Sequence, residues 1–126
     1  MKVFKTRWFA RFARQEKITD DGLREAIERA ERGLIDADLG GGLIKQRVAR
    51  QGQGRSGGYR MIVAYRARER AVFLFGFAKS EQENISSDEL AFLRELAKNW
   101  LAADTTKIRN EIEAGNLQEI EDDEEY

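Results

Sequence analysis

The chain has 126 residues, with 22 Lys and Arg against 23 Asp and Glu, and it lacks Cys and His altogether. Disulfides, thiol nucleophiles, imidazole catalysis and the usual zinc ligands are thereby excluded, leaving chemistry to Lys, Arg, Tyr, hydroxyls and carboxylates. One domain is expected at this length, and no apolar run approaches the ~20 residues of a membrane helix, so the expectation is a cytoplasmic protein with no membrane partner.

Residues 1–4 read as a short strand. Trp8, Phe9 and Phe12 then take helical spacing on a segment that runs to about Glu16. The segment is Arg-rich, so a membrane-surface helix is one reading; aromatics packed on a core are the preferred one. Thr19 or Asp20 caps a second helix, whose buried stripe is Leu23, Ala26, Ile27, Ala30 and Leu34. Gly33 marks its stop.

After Gly40-Gly41-Gly42 the pattern changes to alternation. In 43–50, Ile44 and Val48 share one face of a strand, and Lys45 and Arg47 share the other. Residues 59–66 form a second strand of β-branched and aromatic residues, and 71–78 a third, apolar enough to be central. A hairpin through Ala67 to Arg70 joins these two. Ser86 and Glu89 form a capping box before the stripe Leu90, Leu93, Leu96, Ala97, Trp100 and Leu101. Asp104 caps a last short helix with Ile108 and Ile112, ended by Gly115-Asn116. The acids Glu121 to Glu125 read as a disordered tail.

Charge is unevenly spread along this order. Residues 1–79 carry 18 Lys and Arg against 9 acids, whereas 80–126 carry 4 against 14. Between 43 and 79 stand nine basic residues (Lys45, Arg47, Arg50, Arg55, Arg60, Arg66, Arg68, Arg70 and Lys79) against Glu69 alone. Such an excess fits an anionic partner, or else a solvated face balanced by the acidic C-terminal part. That acidic part invites two readings of its own. It is either a solvating tail, the preferred reading, or a segment that lies over the basic surface and competes with its anionic partner.

Gly52-Gln53-Gly54-Arg55-Ser56-Gly57 matches a GxGxxG pattern, but a dinucleotide site needs a helix after it and a strand follows here. A flexible hairpin loop is the better reading, with Arg55 and backbone N–H groups able to touch phosphate. Arg60 begins the next strand, opposite Lys45 and Arg47, so three cations can converge on one sheet surface, with Arg50, Arg55 and Lys79 at its rim. Convergence suits phosphate; separate snorkelling to solvent is the alternative. Tyr59 and Tyr65 read as packing residues.

The run Gly42-Leu43-Ile44-Lys45-Gln46-Arg47-Val48-Ala49-Arg50, then Gly52 to Arg60, then Phe75-Gly76-Phe77-Ala78-Lys79, resembles the RelE/ParE superfamily. Within it the chain is similar to the HigB-like branch of type II toxin–antitoxin toxins. The resemblance covers roughly residues 1–102 and implies an α+β, RelE-like fold. Its order is β-α-α-β-β-β-α, with a small, mostly antiparallel sheet packed against helices. This makes 1–102 the toxin domain and 103–126 a C-terminal helix and acidic tail.

The resemblance also implies a ribosome-dependent mRNA endonuclease that needs no cofactor or metal, because RNA supplies its own 2′-OH nucleophile. Carried over residue by residue, the catalytic cations are Lys45, Arg47, Arg60 and Lys79, with Arg50, Arg55, Gly57 and Gly58 binding RNA. The implied partners are the ribosome, mRNA and a cognate antitoxin of helix-turn-helix type. Where many relatives carry an arginine after the lysine, this chain has Ser80; Glu83, Asn84 and Ile85 stand where some relatives carry an aromatic. A gyrase poison of the ParE-like branch, or a non-catalytic basic docking module, is the alternative.

Overall fold

The computed structural model describes residues 1–50, 54–81 and 84–121. The elements in chain order are β1 (Lys2–Thr6), α1 (Arg7–Glu16), α2 (Asp20–Glu31), β2 (Ala37–Gly40), β3 (Leu43–Arg50) and β4 (Gly54–Arg66). They continue with β5 (Arg70–Ala78), α3 (Ser87–Ala102), α4 (Thr105–Glu113) and β6 (Leu117–Ile120). The six strands form one mixed sheet in the order β2-β3-β4-β5-β1-β6, antiparallel except where β1 runs parallel to β5. This is an α+β architecture.

Side chains that alternate along the strands build two apolar layers. On one face Ile44, Val48, Tyr59, Met61, Val63 and Phe73 meet Phe9 and Ala13 of α1 and Leu23, Ala26 and Ile27 of α2. On the other, Leu43, Ile62, Ala64, Val72 and Phe77 meet Leu93, Ala97 and Leu101 of α3 and Ile108 of α4. β5 is apolar throughout because it lies inside the sheet with helices on both faces.

Hydroxyls and carboxylates start the helices where local sequence calls for them. Thr6 and Thr19 accept the N–H groups of Phe9 and Gly22, each at 3.2 Å. Asp104 accepts that of Lys107 at 2.8 Å, and Ser86 and Glu89 close a reciprocal capping box. Of the α1 aromatics, Phe9 is fully buried and Phe12 packs partly against the core. Trp8 turns the other way, 46% exposed, onto Phe75 at a ring separation of 4.8 Å.

Four local differences from expectation have physical causes. α2 stops at Glu31, so Leu34 lies beyond the helix and is exposed rather than part of its stripe. Residues 54–57 belong to β4, pairing back to β3 from Arg50↔Gly54, so only 51–53, outside the described residues, remain between the two strands. The short β2 adds an edge to β3 through Ala37↔Lys45 and Asp38↔Ile44. Finally, β6 pairs with β1 from Val3↔Ile120 to Thr6↔Leu117, burying Leu117 and Ile120. Of the acid run expected to be disordered, only Glu121 lies among the described residues, and 122–126 lie outside them.

Candidate active site

The first requirement for a phosphate site on this sheet is that its cations share a face. Ile44, Gln46 and Val48 of β3 point toward α2, so strand alternation turns Lys45 and Arg47 to the opposite face. In β4, Tyr59 and Met61 also point toward α1 and α2, and Arg60 and Ile62 point away. The β3–β4 register then sets Arg47 directly across from Arg60, and Lys45 across from Ile62.

Hydrogen bonding sharpens the geometry of that rung. The N–H of Arg47 is donated to Asp36 Oδ2 at 2.7 Å, and its carbonyl accepts from the Arg29 guanidinium. Both main-chain groups therefore point away from β4, which makes Arg47–Arg60 a pair without mutual backbone bonds, the closer kind, with Cα atoms about 4.5 Å apart. The Arg60 guanidinium is drawn below its ordinary pKa, first by burial and then by the charge of Arg47, while Asp36 pulls the other way. Arg60 is nonetheless an obligate cation at any accessible pH.

Lys45 is half-buried and Arg47 exposed on this face. Lys79 follows β5 directly and is exposed; its N–H reaches the carbonyl of Gly58 at 3.0 Å, which anchors it two residues before Arg60 on the neighbouring strand. Gly58 is buried and Gly57 half-buried in the first part of β4. Arg50 ends β3 opposite Gly54, and Arg55 is the second residue of β4; the side chains of both lie outside the described residues. Lys45 and Lys79 thus lie two residues to either side of the Arg47–Arg60–Phe77 rung, on the two strands that flank β4. Ser80 is exposed in the turn after Lys79, and Ile85 packs against the α3 layer.

Three further cations of the basic stretch go elsewhere. Arg66 and Arg70 flank the β4–β5 hairpin, six or more residues along the sheet from Arg60, about 20 Å at strand rise. Arg70 donates to the carbonyls of Trp100 and Ala103, both at 2.7 Å, and Arg66 to that of Leu101 at 3.1 Å. These are the unpaired carbonyls at the end of α3, a helix with no basic residue in its own last turn. Arg68 sits in the same hairpin, its N–H bound to Glu31 at 3.0 Å.

The model of the family described as RelE toxin of the RelE/RelB toxin–antitoxin system matches residues 1–120. The chain belongs to the RelE toxin family. The match runs through β6, past residue 102. A search among curated proteins finds no match. As a RelE-family toxin the protein has an antitoxin as its counterpart, and toxins of this family generally inhibit translation by cutting messenger RNA. No helix among the described residues is long and apolar enough to cross a membrane.

One group beside these cations escaped the sequence reading. Asp36, with its side chain 17% exposed, bonds the main chain of Arg47 and lies 3.2 Å from its guanidinium. Its carboxyl is held below its usual pKa: burial alone would raise it, but the Arg47 N–H, the Arg47 guanidinium and Arg29 together outweigh that. The available signal was weak, one of two acids, Asp36 and Asp38, just before a glycine-rich turn.

Proposed function

We propose that this toxin is a ribosome-dependent mRNA endonuclease of the HigB-like branch, acting in the cytoplasm where translation proceeds. The observation that carries the reading is the Arg47–Arg60 rung, two like charges facing each other on the same sheet face as Lys45. Crowded cations are unfavourable in an empty site and become favourable around an anion.

In this reading the ribose 2′-oxygen of the message attacks the adjacent phosphorus and the bond from phosphorus to the 5′-oxygen breaks. The products are a 2′,3′-cyclic phosphate and a 5′-hydroxyl. One proton leaves the 2′-hydroxyl and one reaches the departing 5′-oxygen. Arg47 and Arg60 stabilise the charge that builds on the non-bridging oxygens, because a guanidinium fork matches phosphate geometry. Lys45 is assigned as proton acceptor, and Lys79 neutralises the leaving oxygen. Arg50, Arg55, Gly57 and Gly58 are assigned to RNA binding. The antitoxin is assigned as a small helix-turn-helix protein, on the HigB-like character of the sequence.

The deciding experiment adds purified protein to a translating extract with a defined mRNA and maps the 5′ ends that appear. Cuts within translated codons, absent when ribosomes are withheld, support the reading. Intact message with trapped gyrase–DNA complexes would identify a gyrase poison instead. Rescue of growth by a co-expressed helix-turn-helix protein that copurifies with the toxin checks the antitoxin assignment.

A further inference from the structure

Where β2 ends, β3 continues: the last described pair between them is Ala37↔Lys45, which leaves the outer edge of Arg47 without a strand partner. Two side chains replace the missing strand. Asp36 Oδ2 accepts the Arg47 N–H at 2.7 Å, and Arg29 donates to the Arg47 carbonyl. Arg29 is buried, 5% exposed, and is itself steadied by Glu25 at 3.0 Å and by Asp36 Oδ2 at 3.4 Å.

Asp36 is fixed from behind as well. Its N–H donates to Gln46 Oε1 at 2.7 Å, and Gln46, wholly buried, donates to the carbonyls of Ala26 and Leu34 at 2.9 and 3.2 Å. A continuous set of polar bonds thus runs from α2 to the edge of β3. Its outermost member is Asp36 Oδ1, which meets the guanidinium of Arg47 at 3.2 Å. One carboxylate therefore grips Arg47 twice, by main chain and by side chain.

We propose that Asp36 is a positioning residue for Arg47, fixing its main chain and its guanidinium so that Arg47 and Arg60 meet one RNA phosphate together. The inference rests on the nuclease reading for its consequence and on the Asp36–Arg47 contact for its cause. A long, exposed arginine otherwise samples many rotamers, and ordering it costs free energy at each turnover. Asp36 removes that cost in advance and offsets the repulsion between Arg47 and Arg60 while no anion is bound.

Two variants test it. Asp36→Ala removes both grips, whereas Asp36→Asn keeps an oxygen that accepts the Arg47 N–H. In the translating extract, Asp36→Ala is expected to lower kcat by roughly 10–100-fold, with KM changed by less than about threefold. Asp36→Asn, folded to the same extent by circular dichroism, is expected to recover about tenfold of that loss. A folded Asp36→Ala protein with wild-type kcat, or an Asn variant no better than the Ala variant, overturns the proposal.

A second readout needs no activity. The Nη2 protons of Arg47, which donate to Asp36 Oδ1, should exchange slowly in the wild type and rapidly in Asp36→Ala. Identical behaviour in both proteins also overturns the proposal. If the wild type cuts no message yet its Arg47 exchange depends on Asp36, the nuclease reading fails and the positioning contact stands.

Discussion

Arg47 and Arg60 face each other across one rung of β3 and β4, yet they meet solvent very differently. The Arg47 side chain is 45% exposed, whereas Arg60 is only 9% exposed. A cation sunk into the sheet cannot be screened by water as its neighbour is, so its field reaches farther into the site. In the proposed site Arg60 is the fixed wall and Arg47 the outward-reaching arm, held by Asp36.

Substituting Arg60 by Ala is therefore expected to reduce message cleavage by about 10²–10³. The far-ultraviolet circular dichroism should stay that of the folded protein. Wild-type cleavage by a folded Arg60→Ala protein would remove this residue from the site.

Gly76 should tolerate no side chain. A Cβ there would lie 2.6 Å from the ring of Phe12 and 3.2 Å from the sulfur of Met61, since α1 crosses β5 at this point. Gly76→Ala is expected to destabilise the protein by about 1–3 kcal/mol in urea titrations. Pairing it with Phe12→Leu should return part of the loss, and strict additivity of the two changes would argue against the clash.

Arg70 separates structural from functional cations. Arg70→Ala strips two charge-assisted bonds from the end of α3 and should cost about 1.5–3 kcal/mol of stability. Its RNA affinity and salt dependence should match the wild type. Arg47→Ala should do the reverse, lowering the slope of log affinity against log salt by roughly one with a modest effect on the melting temperature. Equal slopes for both variants would show that the basic stretch acts as an undivided charge.

Acid should expose the contribution of Asp36. Its pKa is lower in the folded protein than in the unfolded chain, so its stabilising effect is complete above the unfolded value of about 3.9. That effect is lost as pH falls through the folded value. Glu31, depressed by the Tyr65 hydroxyl and the Arg68 N–H against the opposing effect of burial, adds in the same direction. Unfolding free energies of wild type and Asp36→Asn should differ by a constant above about pH 5 and converge below it. A gap that does not change with pH would rule this coupling out.

The amphipathic helices and the three long strands were legible because each carries its own period, cap or turn. The shared face of Lys45 and Arg47 followed from alternation alone, and their meeting with Arg60 needed only a hairpin between neighbouring strands. What escaped were elements stabilised by distant partners. β2 and β6 are four residues each and owe their existence to β3 and β1. Asp36 gains its role from a strand edge that stops early, which no local pattern announces. Net charge misled for a related reason: Arg66 and Arg70 count as basic in sequence and serve as helix caps in space.

β6 also changes how the acidic C-terminal part should be tested. Ending the chain after Gly115 would remove buried Leu117 and Ile120 along with the charge, and should lower the urea midpoint. Ending it after Glu121 spares the sheet. If the acids beyond it compete with RNA, that shorter protein should bind RNA more tightly at low salt, with the difference fading as ionic strength rises. Coincident affinities at the lowest salt would rule out the competition.

The place of β1 between β5 and β6 sets a timetable for the newborn chain. Val3 and Phe4 leave the ribosome long before the strands that pair with them. They find their neighbours only when Ala71, Val72, Glu119 and Ile120 have followed. The hairpin that brings Arg47 to Arg60 has no such wait, because its two strands are adjacent in sequence. During synthesis the cationic end of the sheet can assemble while an apolar ribbon at the opposite edge is still open to foreign strands. On the proposed nuclease reading the protein is made beside the machinery it inhibits, and that interval is when a cotranslational binder would find the least finished surface.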